Sequence, residues 1–195
     1  MNRKTRIREE KTMKKLFTVL TVICLLCCSV AALAETANVP GNTKLPLLRE
    51  GLTFGSTQED VIKAHGNERY ERDVEHTVVG INFDELEYEN TNIQDARADL
   101  HYFFINNKLI GVQAKFDDNT AIFGQLKNKI TAAYGEGVKP DLSVLGNGLY
   151  MLDDKGHLSA NTLVWTVGNS ILVLEQEERD EAELTCFNLN ADFGI

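Results

Sequence analysis

The stretch from Ala98 to Phe116, ADLHYFFINNKLIGVQAKF, sets the hardest condition on how this chain folds. Two apolar runs flank Asn106-Asn107, and asparagine tolerates the positive φ of a two-residue hairpin turn. With the turn there, Phe103 faces Ile110 and His101 faces Val112 on one side of the hairpin. Phe104 faces Leu109 and Tyr102 faces Gly111 on the other. Leu100, Tyr102 and Phe104 then make one face apolar, and Phe103 and Ile105 do the same for the other. A sheet covered by helices on one side alternates apolar with polar residues. Either both faces are covered here, or one is open and binds something. On the open reading, Tyr102, Phe104 and Leu109 form the candidate binding face, joined by Trp165 from a second hairpin.

That second hairpin is TLVWTVGNSILVLEQ, turning at Gly168-Asn169 with Trp165 opposite Leu172. Two helices accompany the hairpins. In GSTQEDVIKAHG, Ser56 and Glu59 have the spacing of a capping box, and Gly66 suits the left-handed turn that ends a helix. In NTAIFGQLKNKITAAYG, the residues Ile122, Phe123, Leu126, Ile130, Ala133 and Tyr134 share one face at 3.6 residues per turn. Asp117, Asp118 and Asn119 precede it and Gly135 closes it. Weaker strands are expected through Glu68–Glu75, Phe83–Tyr88, Leu145–Leu152 and Glu183–Leu189. The fold class is α+β, two helices packed on antiparallel sheet. The order of helix, glycine, strands and hairpin occurs twice, which suggests tandem sub-repeats at 47–117 and 118–195. In that alignment His65 corresponds to Tyr134, so His65 reads as a packing residue and His65→Tyr is expected to leave the fold intact.

The first residues read as a leader rather than as fold. From Met13, the expected working start, two lysines precede a 19-residue apolar run, Leu16 to Ala34, that ends in Ala-Leu-Ala. This describes a secretory signal peptide cleaved between Ala34 and Glu35. A retained membrane helix is the competing reading, since the run is long enough to span a bilayer. The polar ETANVPGNTK that follows favours cleavage and a flexible arm over 35–46, with a single domain over 47–195. Cys24, Cys27 and Cys28 lack the preceding small residue of a lipidation site, so no stable membrane anchor is expected after cleavage, and localisation is periplasmic, cell-envelope or extracellular. Taking the seven Lys/Arg and two Glu of residues 1–34 from the 20 and 29 of the whole chain leaves 13 basic and 27 acidic side chains, a net −14. A surface this acidic repels phosphate backbones, so nucleic acid is not an expected partner. Only Cys186 remains after the leader, so burial and not a disulfide has to stabilise the fold.

The segment LREGLTFGSTQEDVIKAHGNE resembles the opening of the small outer-membrane assembly lipoproteins of the SmpA/OmlA (BamE-like) type, through Gly51, Thr53, Ser56, Val61 and Gly66. YFFINNKLIGVQAKF resembles their Phe-rich hairpin. The doubled arrangement is similar to that of the secreted β-lactamase inhibitor proteins, which stack two helix-plus-sheet units. The chain departs from the lipoproteins in lacking a lipidated cysteine and in carrying Asn67 where a proline usually follows the glycine. The resemblance implies a non-catalytic module that binds another protein.

Motifs for chemistry are weak. Gly55-Ser56-Thr57 and Gly168-Asn169-Ser170 do not make a Gly-x-Ser-x-Gly elbow. None of His65, His76, His101 and His157 belongs to an HExxH or an i, i+4 pair, so no metal and no cofactor is expected. Asp153-Asp154-Lys155-Gly156 before His157 reads as a turn. Glu85, Glu87 and Glu89 alternate with Leu86 and Tyr88 and read as a solvated strand face. The sequence points to an exported, non-catalytic binding module for another protein, with an inhibitor-like mode as one version of it; a small extracytoplasmic hydrolase or a binder of small apolar ligands is the alternative.

Overall fold

Both asparagines of the central hairpin adopt positive φ, 50° at Asn106 and 58° at Asn107, so the turn has the handedness that matches strand twist. The computed structural model describes residues 45–78, 81–93, 96–116, 120–139, 161–176, 181–188 and 190. The expected leader with its expected cleavage between Ala34 and Glu35, the expected arm up to residue 44, Asp117–Asn119, the strand expected over Leu145–Leu152 and the turn expected before His157 lie outside them.

The described elements are a helix α1 (Gln58–His65), a four-strand meander β1 (Glu71–Val78), β2 (Ile81–Ile93), β3 (Ala96–Ile105) and β4 (Lys108–Phe116), a helix α2 (Thr120–Tyr134), and a three-strand meander β5 (Leu163–Val167), β6 (Ser170–Gln176) and β7 (Ala182–Asn188). All seven strands form one antiparallel sheet in the order β1-β2-β3-β4-β7-β6-β5. The fold is therefore α+β, with two helices on an antiparallel sheet. After β4 the chain passes along α2 to the far edge, and the second meander runs back inward until β7 meets β4.

Both helices serve the same face. The row Leu86, Tyr102, Val112, Cys186, Leu172 and Trp165 crosses six strands, each residue opposite the next. All six are buried and join a single core with Val61 of α1 and Ile122, Leu126 and Ile130 of α2. A second row, Tyr88, Leu100, Ala114, Leu184, Leu174 and Leu163, runs beside it. Each such leucine or aromatic taken from water contributes roughly 1.5–3 kcal/mol. The opposite face of the sheet carries Phe83, Phe103, Ile110, Ile171, Val173 and Phe187, which are also buried. Tyr102, Phe104, Leu109 and Trp165 all lie on the helix-covered face, so the expected open binding face is corrected.

Two local expectations shift by one residue. The capping box of α1 is built by Thr57 and Asp60, not by Ser56 and Glu59: Thr57 Oγ1 accepts from the Asp60 amide at 3.2 Å and Asp60 Oδ2 accepts from the Thr57 amide at 2.9 Å. Ser56 is drawn elsewhere, because its carbonyl accepts from the Leu109 amide while the Gly55 amide donates to the Leu109 carbonyl, each at 2.8 Å. In the hairpin, Phe104 faces Leu109 as expected, but Phe103 faces Gly111, Tyr102 faces Val112 and His101 faces Gln113. Ile110 is the extra residue of a β-bulge, which keeps Leu109 and Val112 both on the core side. Gly66 (φ 65°) and Gly135 (φ 86°) end the helices as read, and Trp165 opposes Leu172.

Gly111 has a packing reason to be glycine. The Phe187 ring lies against its Cα, and a Cβ there would overlap ring atoms Cε1 and Cδ1. The same ring stacks on Phe103 at 6.2 Å between centroids. Gly111→Ala is expected to cost about 1–3 kcal/mol, the usual range for an overpacked core. Adding Phe187→Leu should restore part of the loss in thermal melts, and no change in Tm for Gly111→Ala alone would refute the contact.

Candidate functional site

Gly66 turns the chain so that Glu68 comes back beneath the last turn of α1, with its amide donating to the His65 carbonyl at 3.3 Å. Glu68 Oε2 lies 2.7 Å from His65 Nδ1, and both Glu68 oxygens lie 2.8 Å from Arg49 Nη2. On the other side of the ring, His65 Nε2 is 2.9 Å from the Tyr102 hydroxyl. A carboxylate only accepts, so Nδ1 carries the proton and Nε2 accepts from Tyr102. The ring stacks on Tyr88 at 3.6 Å and 17°, and meets Tyr102 edge-on. His65 is 4% exposed. It is the packing residue the sequence indicates, and in addition it links an exposed carboxylate to a buried phenol.

Burial pushes His65 below the ordinary imidazole value; the Glu68 hydrogen bond and charge oppose that, and the Arg49 charge adds to it. Burial alone would raise Glu68, but its hydrogen bonds to His65 and Arg49 and the Arg49 charge hold it below the usual carboxylate range. The Tyr88 hydroxyl is pushed up to about 12, chiefly by burial and further by Tyr70 and Glu68. It is buried with no hydrogen-bond partner. Burial raises Tyr102 as well.

Glu68 alone of this linked group reaches a cleft of about 530 Å³ at the β1 edge of the sheet, lined by residues 68–71, Glu87 and residues 89–92. The floor comes from an irregularity in β2. Its register against β3 shifts between Tyr88 and Thr91, and Asn90 takes a φ of 53°. The Asn90 amide donates to Asp99 Oδ1 at 3.0 Å, which fixes the bend. Four lining residues are glutamates, against one arginine, Arg69.

Glu85, Glu87 and Glu89 do not form a uniformly solvated face. Glu89 is exposed and Glu87 half-buried, while Glu85 is buried with its Oε1 2.5 Å from His101 Nδ1. Cys186 is buried in the core, and burial pushes its thiol up, away from the thiolate a nucleophile needs. The side chain of His76 and all of His157 lie outside the described residues. Among the described residues, no group of three or more His, Cys, Asp or Glu is placed to hold a metal ion, and no helix is long and apolar enough to cross a membrane. Glu68 and the β2 irregularity are absent from the sequence reading of the site. The spacing of Glu68 three residues after His65, across a helix-ending glycine, is the signal that points to the first.

No family model, no curated protein and no solved structure matches this chain.

His65 and Tyr134 are not interchangeable, because Tyr134 is only partly buried and a tyrosine at 65 has no ring nitrogen to accept from Tyr102. His65→Tyr and His65→Phe are each expected to cost about 1–3 kcal/mol, the cost of leaving a buried hydroxyl unpaired. The folded imidazole titrates below the unfolded value of about 6.5. The unfolded chain therefore takes up the proton first as pH falls, so this contribution is complete above that value and is lost as pH drops through it. The Tm of the wild type should fall more steeply than that of His65→Phe over this window; parallel profiles would show that His65 is not the group responsible.

Proposed function

We propose that the chain is an exported, non-catalytic binding module for another protein, and that the cleft beside β1 and β2 is where it meets its partner. The observation that carries the reading is the commitment of both His65 nitrogens. A general base needs a lone pair facing the substrate. Here that lone pair is used on Tyr102 inside the core, and the ring acts as a brace for Glu68. A wall held in place before binding loses little freedom on association, which favours recognition. A hydrolase reading would need a second reactive group at the cleft, and the Cys186 thiol lies in the core instead. The glutamates and asparagines around the cleft suit a polar partner better than a small apolar ligand. The resemblance to SmpA/OmlA-type and inhibitor-type modules points the same way, and the leader is the basis for export.

The reading is tested by comparative capture from an envelope extract, using the purified wild type and Glu71→Lys/Glu89→Lys. Both side chains are exposed, so the double variant should melt like the wild type. A partner retained by the wild type and lost from the variant is expected. Equal recovery by the two proteins, or no partner on either, overturns it.

A further inference from the structure

The two ends of α1 are fastened to the sheet by different means. At its start, Gly55 and Ser56 exchange backbone bonds with Leu109, and Asn107 Oδ1 accepts from the Gln58 amide at 3.0 Å. At its end a single side chain does the fastening. The buried residues of the helix are Gln58, Val61 and His65, and every residue from Gly66 to Arg72 is exposed. The turn that follows is tied by local bonds, from the Gly66 amide to the Ile62 and Lys63 carbonyls and from the Glu68 amide to the His65 carbonyl. His65 is thus the one buried side chain between Val61 and the start of β1.

The seat of that side chain is built for a neutral ring. Nε2 accepts from the Tyr102 hydroxyl, and its side chain is 0% exposed. A proton on Nε2 would set two donors against each other unless the hydroxyl turned to accept. The turned hydroxyl would then need an acceptor of its own. Among the described residues His65 is the hydrogen-bond partner of Tyr102, and the Tyr88 hydroxyl beside it is buried and unpaired. A buried donor left without an acceptor is costly.

The charges around the ring do not compensate. Glu68 and the carbonyls ending α1 favour a cation, while Arg49, on the segment before the helix, opposes it. The walls contributed by β2 and β3 are the neutral phenols Tyr88 and Tyr102, with Tyr70 behind Tyr88 at 5.7 Å between centroids. Burial outweighs the Glu68 contribution.

We propose that His65 is a proton-operated latch: neutral, it fastens the last turn of α1 to the sheet, and protonated, it leaves its seat and frees the stretch from Gly66 to Glu71. The start of α1, with its own bonds to the hairpin, stays in place. Release would loosen residues 68–71 of the cleft wall, whether or not a partner binds there.

Amide hydrogen exchange followed by NMR on the purified chain tests this, each rate being divided by its intrinsic value at the same pH. Glu68 keeps its charge through the mildly acidic range, since its bonds to His65 and Arg49 hold it below the usual carboxylate values. Opening takes up one proton, so protection at Gly66 and Glu68 should fall by up to about tenfold per pH unit below about pH 6.5. The Leu109 amide, bonded to Ser56, should keep its protection over the same range. In His65→Gln the amide offers one donor and one acceptor without titrating, and protection at Gly66 and Glu68 should stay level with pH. Level protection in the wild type overturns the latch, because a brace with no switching role gives that result. So does loss at Leu109 in step with Gly66 and Glu68, which is unfolding of the whole domain, or an equal pH-dependent loss in His65→Gln. If His65→Gln does not fold, the wild-type contrast between the end of the helix and Leu109 decides.

Discussion

The Phe187 ring pressed against the bare backbone of Gly111 is the contact on which the rest of the sheet depends. Each meander is a local structure, joined by short turns, and either one alone would present unpaired backbone along its inner strand. β4 and β7 close that gap, and they do so at the point where one strand has no side chain and the other has a large one. Phe103 and Phe187 then stack across the junction. The bulge at Ile110 serves the same end, because without it Gly111 would leave the row that receives Phe187.

How much of this was legible follows from how local each cause is. The turns at Asn106-Asn107 and Gly168-Asn169 could be read because few residues accept positive φ, and those residues stand where the apolar runs break. The amphipathic face of α2 could be read because its period is internal to the helix. The bulge could not: Ile110 and Gly111 are both compatible with either face, so the alternation does not register the skipped residue. The N-cap moved from Ser56 to Thr57 because the Ser56 carbonyl is captured by Leu109, more than fifty positions away. Tyr102 and Phe104 looked like a binding face, but the pattern could not say which of two apolar faces the helices would choose.

The site was less legible than the fold for a related reason. Glu85 and Glu87 look alike in an alternating strand, yet one is buried against His101 and the other borders the cleft. His65 was correctly placed as a packing residue, but its partner Tyr102 lies on a strand reached only through tertiary structure. Tyr134 shares the outline of its neighbourhood and not its contacts. Outline similarity preserves backbone geometry, whereas hydrogen bonding depends on what the opposing strand presents.

The position of the single tryptophan has a practical consequence. Trp165 is buried on β5, and its indole N–H donates to the Gly135 carbonyl at 2.9 Å, just past the end of α2. Excitation of this one indole therefore gives an optical signal for the seating of that helix on the sheet, shifting to longer wavelength when water reaches the ring. β5 and β1 occupy opposite edges of the sheet. The chromophore sits far from the acidic cleft, so its emission can follow unfolding without being perturbed by whatever occupies the other edge.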